Sequence, residues 1–176
     1  MQARTLFRTR MLVAAGVVAG LVVPLSALGG TTSHASAKDS SLLEKQANYW
    51  QVDQVEVRFH RATSTHNLKL MMSLWAPGAV FDIDQQTLVG KAQIKHWFAT
   101  QNKAFMPQHH WQSDTPSYKI QIHLNGNHAT MWFECDYIDP ATDAVVGSAG
   151  VTHQLQKLNG KWLITNSTGS TASPSA

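Results

Sequence analysis

Two Asn-Gly pairs, Asn125-Gly126 and Asn159-Gly160, constrain this chain more than any other feature. Each lies between runs that alternate apolar and polar residues. A two-residue hairpin loop of the I′ type needs φ > 0 at both central positions, which Asn and Gly reach at little steric cost. The spacing predicts two antiparallel hairpins and fixes their registers. Across the first, Leu124 faces Asn127, His123 faces His128, Ile122 faces Ala129, Ile120 faces Met131 and Tyr118 faces Phe133. Across the second, Leu158 faces Lys161, Lys157 faces Trp162, Leu155 faces Ile164 and His153 faces Asn166. Residues 139–144, with Asp139-Pro140 and Asp143, join the two hairpins.

Strand side chains alternate between faces, so each register sorts its residues into an inner and an outer set. Tyr118, Ile120, Ile122 and Leu124 fall with Ala129, Met131, Phe133, Cys135 and Tyr137 on the face that must meet the core. Lys119, Gln121, His123, His128, Thr130, Trp132, Glu134 and Asp136 fall on the other. Glu134 and Asp136 are thus expected as solvated or interface carboxylates, and Trp132 as an oligomer contact or a lone exposed aromatic. His153 and Asn166 share an otherwise apolar face with Val151, Leu155, Trp162 and Ile164. An unpaired buried polar group costs about 1–3 kcal/mol. The two therefore form a structural His–Asn hydrogen bond, or both point into a cavity where His153 can move protons near neutral pH.

The N-terminal half reads at helical period. Val52, Val55, Phe59 and Ala62 make one apolar face over Ser41 to Thr63, and Leu68, Met71, Met72 and Trp75 make a second helix from Asn67 to Trp75, stopped by Pro77-Gly78. Ala79 to Asp84 alternates as a strand, and Gly90 precedes a third helix carrying Ile94, Trp97 and Phe98. The order Leu74-Trp75-Ala76-Pro77-Gly78-Ala79-Val80-Phe81-Asp82, then Gly90-Lys91-Ala92-Gln93-Ile94-Lys95-His96-Trp97-Phe98, with the closing Gly160-Lys161-Trp162-Leu163-Ile164, resembles the SnoaL-like branch of the nuclear transport factor 2-like fold from about Ser41 to Thr168. That resemblance implies an α+β fold: a curved, mostly antiparallel sheet with three N-terminal helices forming a cone-shaped pocket.

Relatives of this kind include isomerases, dehydratases, cyclases, hydrolases and proteins without activity. Some dehydratase-like members place a proton-abstracting histidine at the start of the strand that here begins with His109-His110-Trp111; strand parity counted back from Tyr118 turns His110 inward, and Pro116 can break that parity. The resemblance also brings gaps. The tyrosine position of ketosteroid-isomerase-like relatives falls on Phe59, and their aspartate base falls on Ile83, between Asp82 and Asp84. The aspartate that orients the histidine in dehydratase-like relatives reads as Ser64, with Asn67 at the next acidic position. Glu56 and His60 stand at i, i+4 and can pair, an arrangement that is commonly a surface contact. The binding reading takes a small apolar, cyclic or aromatic molecule between Trp75, Tyr118, Phe133 and Tyr137, with Asn166 as a polar contact. The catalytic reading adds His110 and His153 as acid–base groups in a cofactor-free isomerase, dehydratase or cyclase. A third reading is a non-catalytic assembly module, with a homodimer contact through the outer sheet face.

Composition narrows the partners. Arg4, Arg8 and Arg10, the apolar run from Met11 to Leu28 and Ala35-Ser36-Ala37 together have the form of an export signal over residues 1–37, with an uncleaved N-terminal anchor as the alternative. Cleavage would leave a secreted or extracytoplasmic protein without stable membrane association: one domain over 38–169 and a Ser/Thr/Pro tail over 170–176 that is expected to be disordered. Three of the 14 Lys+Arg lie in the leader, leaving 11 against 11 Asp+Glu, so the body offers no electrostatic footprint for nucleic acid. Cys135 is the sole cysteine and reads as a core residue. His123 and His128 flank the first turn without a third ligand nearby, and neither a phosphate loop nor a Ser-centred nucleophile elbow occurs. The expectation is no metal and no cofactor.

Overall fold

The computed structural model describes residues 37–171; the export signal expected over residues 1–37, apart from Ala37, and the last five residues lie outside them. The elements are α1 (Ala37–Ser64), α2 (Leu68–Ser73), β1 (Trp75–Ile83), β2 (Gln86–Val89), α3 (Gly90–Thr100), β3 (Gln112–Asp114), β4 (Ile120–Asn125), β5 (His128–Asp139), β6 (Ala144–Leu158) and β7 (Lys161–Thr171). Short 3₁₀ turns cover Lys103–Phe105 and Ser117–Lys119. One sheet takes the order β2-β1-β7-β6-β5-β3, with β4 also paired to β5. Its pairings are antiparallel except β1 with β7. The α+β cone expected from the resemblance is therefore the fold observed.

Its interior follows the periodicity. The α1 positions Val52, Val55, Phe59 and Ala62 are all buried, as are Ile94, Trp97 and Phe98 of α3 and Ala129, Met131, Phe133, Cys135 and Tyr137 of β5. Burying side chains of this kind contributes roughly 1.5–3 kcal/mol each. Burial also holds the Cys135 thiol well above its ordinary pKa, with the carboxylate of Glu56 adding to the shift.

Several boundaries and registers differ from the sequence reading, each for a local reason. Helix α2 stops at Ser73, with Asn67 capping it by accepting from the Leu70 backbone N–H at 2.9 Å. Trp75 opens a strand instead of closing a helix, because it pairs with Ile164 of β7, whose N–H donates to the Leu74 carbonyl at 2.8 Å. Pro77-Gly78 then lies inside β1, where the β1–β7 register shifts, a place that tolerates a missing donor. In the first hairpin Asn125 faces His128, so the loop is Gly126-Asn127 and not Asn125-Gly126. Gly126 has φ +57° while Asn127 has none of the positive-φ geometry, which fits a II′ turn with glycine in its first central position. The slip pairs Ile120 with Phe133 and Ile122 with Met131, and it keeps the side chains from Ile120 to Leu124 on their expected faces.

The second hairpin does use Asn159-Gly160, at φ +50° and +75°, and its expected pairs hold as far as Leu155 with Ile164. There a bulge inserts Thr165 into β7, so Gln154 faces Asn166 and His153 faces Ser167. Strand β7 continues to Thr171, where Ser170 pairs with Gly150 and Thr171 with Ala149, so these two residues, expected in a free tail, belong to the sheet.

Candidate functional site

The bulge at Thr165 decides what meets His153. One extra residue turns Asn166 to the outer face beside Gln154 and Val80, and brings Ser167 inward. His153 Nδ1 and Ser167 Oγ stand 2.8 Å apart, both side chains fully buried. The imidazole lies among Phe133, Phe59 and Trp75, with ring centroids at 5.1, 5.3 and 5.9 Å. Burial, with a smaller contribution from His60, lowers its pKa from 6.5 to about 3, so the ring is neutral at physiological pH. His153 Nε2 has no hydrogen-bond partner among the described residues. A Ser167 hydroxyl donating to Nδ1 leaves the ring hydrogen on Nε2, facing aromatic rings that accept N–H weakly.

A second buried polar group was underrated in the sequence. Glu56 and His60, expected as a surface pair, are both buried on the core side of α1. His60 Nε2 lies 2.8 Å from Glu56 Oε1 and 2.6 Å from Thr115 Oγ1, while Nδ1 lies 2.6 Å from Ser113 Oγ. Thr115 Oγ1 in turn donates to the Glu134 carbonyl, and the Ser113 N–H donates to Ser64 Oγ at 2.8 Å. Helix α1 is thereby tied to β3 and β5 through hydrogen bonds that occupy both ring nitrogens. Phe133 separates the two histidines, its ring 5.6 Å from His60 and 5.1 Å from His153. The i, i+4 spacing was the available signal. Nothing in the sequence tells that Ser113 and Thr115 come to meet it.

The remaining sequence candidates scatter. His110 is exposed, and Tyr118 is 79% exposed, since Pro116 starts a 3₁₀ turn and β4 begins only at Ile120; neither residue faces the interior. Trp75 and Phe133 are sealed in the core, and Asn166 is on the outer face. Tyr137 lines a cleft between α1, α3 and the sheet, with Phe59, Trp97, Phe98, Cys135, Val151 and the polar residues Thr63, Asn102 and Ser170. The space left there is about 20 Å³, near the room one water needs, so side chains fill the hollow expected to hold a guest. Gly169 belongs to this packing: a Cβ on it would stand 3.2 Å from Ile83 Cδ1. Burial raises the Tyr137 hydroxyl well above its usual pKa, so it stays protonated.

On the outer face Lys119 reaches Glu134 Oε1 at 2.5 Å and Asp136 at 3.4 Å; Asp136, expected as a solvated or interface carboxylate, is buried beside it. His123 faces Thr130 and His128 faces Asn125, so the two imidazoles do not oppose each other. Among the described residues no three metal-ligating side chains cluster.

The profile of the SnoaL-like domain matches residues 44–168. No curated protein matches the chain. An NTF2-like protein with a cystatin-like fold from Novosphingobium aromaticivorans is similar at TM-score 0.65 and 11% identity, over 78% of this chain and 90% of that one. A protein of unknown function with a cystatin-like fold from Nostoc punctiforme is similar at TM-score 0.60 and 17% identity, over 79% and 96%. A candidate dehydratase of the NTF2-like family from Streptomyces avermitilis is similar at TM-score 0.60 and 13% identity, over 73% and 98%. At such identities the likeness concerns the fold alone. With the domain profile spanning most of the described residues and the sheet-and-helix cone beneath it, the chain belongs to the SnoaL-like domain family.

Proposed function

We propose that this domain is a non-catalytic binder of a small apolar molecule, acting outside the cytoplasm and taking its ligand in the cleft between α1, α3 and the sheet. The observation that carries the reading is the cleft itself. It has aromatic and aliphatic walls with three neutral polar side chains, Thr63, Asn102 and Ser170, the composition typical of small-molecule sites. Acid–base chemistry by the histidines gains no support. His153 is neutral and closed off by three aromatic rings, both nitrogens of His60 are engaged, and His110 stands in solvent. The leader composition favours export, which N-terminal sequencing of the protein recovered outside the cell would test.

Because the cleft is nearly full, a ligand has to open it, and the energy of opening is subtracted from its affinity. Tyr137 is the wall to move: it leans on Trp111 at 6.1 Å, and Trp111 stacks on His109 at 4.3 Å. Titration with 1-naphthol, followed by tryptophan fluorescence, should give a saturable change. Ala149→Phe, which fills the cleft, should abolish it, and Tyr137→Ala should tighten binding about tenfold by removing the obstruction. Saturation that survives Ala149→Phe, or no saturation with either the parent or Tyr137→Ala, would overturn the proposal.

A further inference from the structure

Helix α1 is apolar on two sides. Val52, Val55, Phe59 and Ala62 face the core, yet Leu43, Trp50 and Val57 are 61%, 62% and 46% exposed. These three residues are spaced by seven, and at 100° per residue they line up within about 20° per step along one stripe of about 21 Å. Counted from Leu43, the buried Val52, Phe59, Val55 and Ala62 stand about 180°, 160°, 120° and 100° around the helix, so the stripe lies on the side away from the core. Leu42 and Tyr49, also exposed, flank it. A contiguous apolar strip of this kind on a helix is unusual for a surface meant for water alone.

The first half of α1 has a further problem. From Lys38 to Trp50 every residue is exposed except the half-buried Asn48, whose Oδ1 accepts from Lys157 Nζ at 2.8 Å. A helical segment of about a dozen residues that buries no face is marginal in water, because helices in proteins are held mainly by packing.

We propose that two copies of this chain associate through the outward stripe of α1, packed antiparallel about a two-fold axis at Trp50. The stripe is self-complementary under that operation. Residue k then meets residue 100 − k, as follows from a centre at position 50. Leu43 lies against the partner's Val57, Gln46 against the partner's Gln54, and Trp50 against its own symmetry mate. Asp39 falls opposite the partner's Arg61, a match of opposite charge that the symmetry makes twice. The interface is isologous and closes on itself, as a two-fold dimer requires. Each projecting N-terminal half gains as its cover the outward face of the other copy's anchored half.

Sedimentation equilibrium of the full chain tests this. The expected result is a dimer whose dissociation constant rises about hundredfold with Trp50→Glu, as for a central aromatic anchor, and substantially with Leu43→Glu, while Trp132→Glu on the outer sheet face leaves it unchanged. Register is read separately. Chains carrying Leu43→Cys mixed with chains carrying Val57→Cys should cross-link to each other with a short bismaleimide, Cys135 being buried. A monomer at all concentrations overturns the proposal. So does a dimer that withstands Trp50→Glu, or one that Trp132→Glu disperses instead. Association that Trp50→Glu leaves intact would assign it to another segment, such as the apolar run from Met11 to Leu28. A monomer that co-sediments with phosphatidylglycerol vesicles, and loses this with Trp50→Glu, would make the stripe a membrane contact and equally overturn the dimer.

Discussion

His153 shows how one residue can be functional in type and structural in place. Burial lowers its pKa from 6.5 to about 3, so between those values the unfolded chain binds a proton that the folded chain does not. Stability must then fall as pH drops from about 6.5 toward 3, with this one ring contributing up to about 1.4 kcal/mol per pH unit. His153→Gln, which keeps a polar partner for Ser167 but cannot titrate, should flatten the dependence. Urea denaturation of both proteins at pH 7 and pH 4.5 checks it, the expected result being a larger loss in the parent. An equal loss in both would mean that the imidazole accepts its proton while folded. At this scale the sequence was informative about residue type and less so about role. It singled out His153 as a buried polar group on an apolar face, and the structure places it there. It offered Asn166 as the partner where Ser167 serves.

The reason for that exchange belongs to the element. Thr165 is an extra residue in β7: the strand pairs as Leu155 with Ile164 on one side and Gln154 with Asn166 on the other. A bulge of this sort re-phases the chain beyond it and bends the sheet. No residue-type signal marks Thr165, since a threonine is at home in any strand. The pairing could be read outward from the Asn159-Gly160 turn only until the insertion intervened. The first hairpin misled more gently: its Asn-Gly-Asn run permits two turn registers that preserve the same faces, and burial patterns cannot choose between them. The long periodic stretches were legible because their faces are set by burial, whereas Tyr118 was lost to a proline turn. Excising Thr165 should keep Ser167 opposite His153, because the pairs on either side of the bulge then become consecutive. It would also straighten β7 against β1, where Trp75 pairs with Ile164 and Val80 with Asn166 across an unequal number of residues. A destabilisation of roughly 1–3 kcal/mol is expected by thermal melting, with the fold retained by circular dichroism. Loss of the fold would show the bulge to be obligatory.

For the whole molecule, the decisive property is that aromatic rings pack the middle of the cone among the described residues. Phe59, Trp75, Phe81, Phe98 and Phe133 form a chain of ring contacts across the space where a guest was expected, Phe98 meeting Phe59, Trp75, Phe81, Trp97 and Phe105. Phe59 and Phe98 were legible as apolar helix positions, and Trp75 and Phe133 were expected as pocket walls. That the cleft beside Phe59, Phe81 and Phe98 would be left with about 20 Å³ was not legible, because volume is a sum over side chains from every element. Phe98→Ala should hollow the cone at a cost of about 3–5 kcal/mol, and benzene in the buffer should restore part of it by occupying the void. The melting temperature with and without benzene is the measurement; no recovery would mean that neighbouring side chains collapse into the gap.

Cys135 gives the molecule a built-in clock. Its sulfur is buried and kept in the unreactive protonated form, so a thiol reagent added from outside must wait for the structure around it to open. The labelling rate of this lone sulfhydryl therefore times how often the native state lets go.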